Sequence, residues 1–118
     1  MRLLHALTRN WADTDEPGDP ALAPLELPLP LAEALARVEA AVRSLPRWRV
    51  EAIDPAAGTL TATRRTRLFG FIDDVHIRLE PAAASTRVHA RSQSRLGKAD
   101  FGQNRRNLLE LFAALRRS

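Results

Sequence analysis

The segment DVHIRLEPAAASTRVHARSQSRL, residues 74–96, alternates apolar and polar side chains on both sides of a turn that contains proline and alanine. Its apolar positions are Val75, Ile77 and Leu79 before the turn, then Val88 and Ala90 after it. The pattern predicts two half-buried antiparallel strands, because side chains that pair across an antiparallel ladder share one face of the sheet. A four-residue loop over residues 81–84 would place Ile77 opposite Val88.

The same parity predicts where the polar residues of this hairpin lie. Asp74 is expected opposite Arg91 on the polar face, whereas Asp73 and Ser92 are expected on the core side. A buried carboxylate requires hydrogen-bond donors, and the planar guanidinium group of arginine supplies two at once. We therefore expect a polar cluster where the second hairpin meets the last helix. Its predicted members are Asp73, Asp74, Arg91, Ser92, Ser94, Arg95, Asp100 and Asn104.

The remaining elements follow from apolar spacing and from turn residues. In chain order they are an edge strand near residues 25–27, a helix over 31–45, strands over 48–53, 59–63, 74–80 and 86–96, and a helix from residue 100. We predict an α+β fold, a single twisted antiparallel sheet of about five strands with two helices on one face, in the order strand, helix, four strands, helix. That order resembles the TATA-binding-protein-like and helix-grip architectures, which include nucleic-acid binders and lipid or small-molecule carriers.

A length of 118 residues suits one domain. Residues 1–23 are predicted to form an N-terminal arm and irregular lead-in, and residues 24–118 the α+β domain. Leu4, Leu7 and Trp11 could line one face of a short amphipathic helix within that arm. The first apolar stretch is too short for a signal-peptide core, and no run approaches the roughly 20 apolar residues of a membrane span, so a cytoplasmic location is predicted.

Composition excludes some classes of protein and of site. The chain has no cysteine, which excludes disulfides, zinc ribbons and thiolate catalysis. Its net charge of +4 is uneven: residues 1–58 hold six arginines and nine acids, whereas residues 59–118 hold twelve basic residues and five acids. An arginine-rich stripe on the sheet could contact a nucleic acid or another polyanion. The stripe would comprise Arg64, Arg65, Arg67, Arg78 and Arg87.

The polar cluster admits a structural and a functional interpretation. In the structural one, it ties the final strand to the last helix. In the functional one, Lys98 and Arg105 join the arginines as anion contacts near the N-terminus of that helix. The sequence of residues 100–103 has the form of a capping box, in which Asp100 accepts from first-turn amides and Gln103 reaches back. Asp100 would thereby occupy the place of an anion.

Other candidate sites receive less support from the residues. Asp73 and Asp74 are adjacent in a strand and point to opposite faces, so they could not act as acid and base on one substrate atom. His76 and His89 are predicted to face each other across the hairpin, but two histidines without a third ligand make a weak metal site. No metal or cofactor is predicted. The aromatic residues expected to lie mostly in the core are Trp48, Phe69, Phe71, Phe101 and Phe112.

Three stretches of the sequence stand out as motifs: LFGFIDDV at residues 68–75, RSQSRLG at 91–97 and DFGQN at 100–104. Together they resemble a family of bacterial and plastid proteins called domain of unknown function 1499, and NWADT at 10–14 is similar to the lead-in of one branch. The resemblance spans about residues 10–116 and implies no particular activity. The cysteine-containing N-terminal motif of many members is missing here.

The leading hypothesis from sequence is a non-catalytic module that binds a small molecule or a protein partner in a pocket lined by apolar side chains. The alternative is nucleic-acid or other polyanion binding through the arginine-rich sheet face. An enzyme is the third hypothesis, and it would require a concave site with at least two convergent titratable groups.

Overall fold

A computed structural model describes residues 9–16, 18–67, 70–97 and 100–118 of the protein. The elements within these residues are β1 (Trp11–Asp13), a 3₁₀ helix (Pro20–Leu22), β2 (Leu25–Leu27), α1 (Leu31–Ser44), β3 (Trp48–Asp54), β4 (Thr59–Arg65), β5 (Ile72–Pro81), β6 (Thr86–Ser94) and α2 (Gln103–Arg117). None of the helices described here is long and apolar enough to span a membrane.

The strands form one antiparallel sheet in the order β1-β6-β5-β4-β3. β2 also pairs with β6, but along a different part of it: β1 lies beside residues 91–93 and β2 beside residues 86–88. Side chains from α1, α2 and the inner face of the sheet form one apolar core. The predicted α+β fold is confirmed, with β1 as an additional strand.

The β5–β6 hairpin has the predicted parity but a different register. Ile77 lies opposite Ala90, and Leu79 rather than Ile77 lies opposite Val88. The loop contains four residues as expected, yet it spans 82–85, because β5 continues through Pro81 before the chain turns. A proline is tolerated at the end of a strand, where its missing amide costs little.

The segment before β2 contributes to the sheet and core. Ala12 in β1 and Leu22 in the 3₁₀ helix are both fully buried. The amide of Thr14 donates to the carbonyl of Ala90, whose own amide donates to the Thr14 hydroxyl, both at 2.9 Å. Trp11 lies in β1 and not in the predicted amphipathic helix. Leu4 and Leu7, the other residues of that helix, fall outside the described residues.

The aromatic residues divide between the core and the surface. Trp48 and Phe112 are buried, as predicted. Phe71 and Phe101 are exposed, so the prediction that they are core residues is wrong, and Phe69 lies outside the described residues. Phe71 precedes β5 and Phe101 precedes α2. Both lie in connecting segments, where apolar periodicity gives no indication of burial.

Candidate functional site

A cavity of about 490 Å³ opens where β5 and β6 meet the loop that leads into α2. We call its three large exposed apolar side chains, Phe71, Leu96 and Phe101, the apolar rim. Their exposed fractions are 50%, 70% and 74%. The other described lining residues are Thr66, Ile72, Asp73, Ser94, Gly97, Asp100 and Gln103.

Local backbone structure holds the apolar rim in place. The amide of Thr66 donates to the carbonyl of Phe71, and the amide of Phe71 donates to the Thr66 hydroxyl, at 2.7 and 2.8 Å. Phe101 has a φ of 52°, and Gly102, which follows it, has a φ of 84°. A left-handed conformation suits glycine but is unfavourable for phenylalanine. The backbone thus turns the Phe101 ring towards solvent and the cavity instead of the core.

Asp73 is a buried carboxyl group that lines the cavity. Its residue is only 1% exposed. Burial raises the pKa of this carboxyl above its usual value, although hydrogen bonds from Asn107 and Ser94 act in the opposite direction. The Asn107 amide donates to Asp73 Oδ2 at 2.8 Å. Arg64 lies opposite Asp73 in the ladder and its guanidinium group donates to Glu110 at 3.4 Å, while its positive charge also acts to lower the pKa of Asp73.

A buried network of side chains connects α2 to β6 and to the lead-in. The hydroxyl of Ser92 donates to Asn104 Oδ1 at 2.6 Å and accepts from Asn107 Nδ2 at 3.1 Å. Asn104 Nδ2 has three acceptors within hydrogen-bond distance, which share its two hydrogens: the Asn10 carbonyl at 2.9 Å, Ser94 Oγ at 2.8 Å and the Asp100 carboxylate. Asn104 and Asn107 are fully buried. These bonds tie the last strand to the last helix, which is the structural role anticipated from sequence.

The Asp100 side chain accepts from amides at the start of α2, although the N-cap position itself is Gly102. The Asp100 carboxylate accepts from the amides of Gly102 and Asn104 at 2.8 and 3.0 Å, and also from Asn104 Nδ2. Gln103 does not complete the predicted capping box, because its side-chain amide donates to Asn107 Oδ1 at 2.7 Å. α2 begins at Gln103, and Gly102 in a left-handed conformation occupies the position before it.

The structure brings together five of the eight predicted cluster residues, namely Asp73, Ser92, Ser94, Asp100 and Asn104. The other three lie on the opposite, outer face of the sheet. Asp74 lies opposite Gln93 and not Arg91, so that predicted pairing is wrong. Instead, Asp74 accepts two hydrogen bonds from Arg95, at 2.8 and 2.9 Å.

Two further arginines of the predicted site have partners outside the cluster. Arg91 lies 3.2 Å from Asp13 and stacks over the Trp11 ring, and Arg105 lies 2.9 Å from Asp19. Lys98 lies outside the described residues. Asn107 was not predicted, although its position three residues after Asn104 places the two amides on one face of α2.

The outer face of the sheet carries paired charges and no described metal site. The pairs include Arg78 with Asp15, Arg87 with Glu26, Arg91 with Asp13 and Arg95 with Asp74. The proposed stripe is also divided, since Arg64 is buried on the inner face while Arg65 and Arg67 are exposed. The part of the chain that the structure describes has no cluster of histidine or acidic residues suited to a metal ion.

His89 lies between two carboxylates on that outer face. Its Nδ1 is 2.6 Å from Asp15 Oδ1, and its Nε2 is 2.9 Å from Glu80 Oε1. His76 and His89 each lie opposite an arginine in the β5–β6 ladder, so the prediction that they face each other is wrong. The hydrogen bond and the charge of His89 lower the pKa of Glu80, against the effect of burial.

Comparisons with known proteins identify the family of this chain. No curated protein matches it. One similar solved structure is TTHA0849 from Thermus thermophilus, at 15% identity and a TM-score of 0.39, over 80% of this chain and 92% of that one. The model of a family described as a protein of unknown function, DUF1499, matches residues 6–115. The chain therefore belongs to the DUF1499 family, as its three sequence stretches suggested.

Proposed function

We propose that this domain is a non-catalytic binding module that holds a small, largely apolar molecule in the cavity between β5, β6 and the start of α2. One observation carries the proposal: within the described residues, the exposed large hydrophobic side chains are Phe71, Leu96 and Phe101, and all three line this cavity. Exposed apolar surface that is concentrated in one place is typical of an interaction site, whereas isolated apolar side chains are ordinary.

The size and lining of the cavity support a small-molecule ligand. A volume of about 490 Å³ lies within the range of ligand sites, roughly 300–1,000 Å³. Such sites combine an apolar wall with a few polar groups that orient the ligand. Here the apolar rim supplies the wall, and Asp73 and Ser94 supply polar groups. A protein partner that inserts an apolar side chain is the alternative occupant.

The conformation of Phe101 gives independent support. A non-glycine residue held in the left-handed region costs the folded state on the order of 1–3 kcal/mol, and such residues concentrate at functional sites. Phe101 gains no burial in compensation, because its side chain is largely exposed. A ligand that covers the ring would supply that burial.

The two other functions considered from sequence have less support. Polyanion binding would use arginines of the outer face, but four of these already pair with acids. An enzyme could use Asp73 and Asp100, which both line the cavity. The Asp100 carboxylate is, however, committed to capping α2. The cytoplasmic location inferred from sequence remains a prediction.

A fluorescence titration tests the proposal. N-phenyl-1-naphthylamine is a neutral probe whose emission rises in apolar surroundings, and we expect saturable 1:1 binding to the wild-type protein. Phe101→Asn should weaken this binding at least tenfold, because it removes the ring while asparagine tolerates the left-handed conformation. Ile53→Thr is the matched control, since Ile53 is a partly buried apolar residue away from the cavity. Equal binding by the wild type and Phe101→Asn would contradict the proposal.

A further inference from the structure

The acids that line the cavity differ from most acids elsewhere in the described structure. Asp13, Asp19 and Asp74 each form an ion pair with an arginine. Asp73 and Asp100 line the cavity, and neither forms an ion pair with any described residue. No arginine, lysine or histidine is among the described residues of the lining. The cavity therefore combines an apolar rim with two carboxyl groups that form no ion pair with a described residue, although the charge of Arg64, behind the lining, acts on Asp73.

The direction of the hydrogen bonds indicates that Asp73 acts as an acceptor. Gln103 donates to Asn107, and Asn107 donates to Asp73. Along a second route, Asn104 donates to Ser94, whose hydroxyl bonds to Asp73. Both routes end on the Asp73 carboxylate. An ionised carboxylate offers about four lone-pair positions, so two donors leave capacity for a further donor from a ligand.

The two carboxyl groups also influence each other. Burial is the main reason that the pKa of Asp73 is raised, and the negative charge of Asp100 raises it further. A positive group bound in the cavity would relieve both effects, because it supplies an opposite charge where water has been removed.

We infer that the ligand is an amphiphilic organic cation, in which a protonated amine binds Asp73 and an apolar body lies against the apolar rim. The inference rests on the proposed function and specifies the chemical class of ligand for that cavity. The ammonium group donates hydrogen bonds to the Asp73 carboxylate. The Phe71 and Phe101 rings cover the adjoining apolar atoms.

Three probes with the same ring system separate charge from apolar contact. They are 1-naphthylmethylamine, which is a cation at pH 7, neutral 1-naphthalenemethanol and the 1-naphthoate anion. Isothermal titration of the wild-type protein should give an affinity for the amine at least tenfold above that for the alcohol, and weaker binding still for the carboxylate. Opposite charges within a desolvated site account for that order.

Two neighbouring residues provide a matched pair of variants. Asp73→Asn removes the carboxylate of the cavity, and Asp74→Asn removes one on the opposite face of the same strand. We expect Asp73→Asn to reduce the preference for the amine over the alcohol to less than threefold, with the affinity for the alcohol unchanged. Asp74→Asn should retain the full preference. If Asp73→Asn fails to fold, Asp100→Asn replaces it, because an asparagine side chain can also accept from amides at a helix start. In the Asp100→Asn protein the preference for the amine over the alcohol should fall at least threefold.

Failure of the inference and failure of the proposed function give different results. If all three probes bind equally and Phe101→Asn weakens each, the cavity binds apolar molecules and the inference about charge is wrong. If no probe binds the wild-type protein, both are wrong. Tighter binding of the carboxylate than of the amine would also overturn the inference.

Discussion

Removal of the Asn104 side chain should destabilise the protein strongly, because this buried amide joins three parts of the fold. It accepts from Ser92 in β6 and donates to the carbonyl of Asn10 beside β1. It also bonds to the Asp100 carboxylate at the cap of α2. In Asn104→Ala the Ser92 hydroxyl loses its acceptor, and leaving this buried donor without a partner costs about 1–3 kcal/mol. The hydrogen bond to the Asp100 carboxylate is lost as well, and a bond to a charged group contributes about 1.5–3 kcal/mol. We expect a total loss of about 3–4 kcal/mol.

A loss of that size is a large part of the stability of an ordinary domain, about 5–15 kcal/mol. For a chain of this length it corresponds to a melting temperature lower by roughly 10–16 °C. Urea denaturation and calorimetry measure the two quantities. Arg117→Ala, an exposed position in the same helix, is the control and should change stability by less than about 0.5 kcal/mol. A loss below about 1 kcal/mol in Asn104→Ala would refute the closed network.

Three further predictions follow from the described contacts. Asp73→Asn should leave the free energy of unfolding at pH 7 unchanged or raised. The reason is that a carboxyl group whose pKa is raised by burial in the folded state destabilises that state once the pH exceeds the pKa of the unfolded state. A clear loss of stability in urea denaturation would refute this. Phe101→Asn should not lower the melting temperature, since it relieves an unfavourable φ without losing buried surface, and calorimetry checks this. Burial acts to raise the pKa of Asp15, but the hydrogen bonds and positive charges of His89 and Arg78 outweigh burial, so this pKa is lowered overall. His89 also lowers the pKa of Glu80. Stability should therefore fall as pH drops below the ordinary values of 4.5 for Glu80 and 3.8 for Asp15, and less in His89→Gln, as acid titrations of unfolding would show.

The sheet could be predicted from sequence because two-residue periodicity is strong where one face is buried. Val75 and Ala90 both reached the core side as their parity required. The exact register could not be predicted in the same way. If the turn moves by one residue along the chain, each residue pairs with a partner two positions away, and every side chain keeps its face of the sheet. The outcome depended on whether β5 ends before Pro81 or includes it, and apolar pattern does not determine this.

The candidate site was predicted only in part, for a related reason. Parity placed Asp73 and Ser92 on the core side and Asp74 away from them, and the structure agrees. The apolar rim could not be found by periodicity, because Phe101 and Leu96 lie in loops whose direction depends on left-handed backbone conformations. The hydrophobic character of Phe101 and Leu96 favours burial in the core, but the backbone of these loops turns both side chains outward.

The most direct test of the account is to locate the binding site by NMR. Amide chemical shifts of the ¹⁵N-labelled protein would be followed during titration with 1-naphthylmethylamine at pH 7. We predict that the largest shifts occur at residues 70–73, 94–97 and 100–103, which surround the cavity, with Arg87, His89 and Arg91 of the outer face unaffected. Shifts concentrated on the outer face, or no saturable shifts at all, would contradict the account.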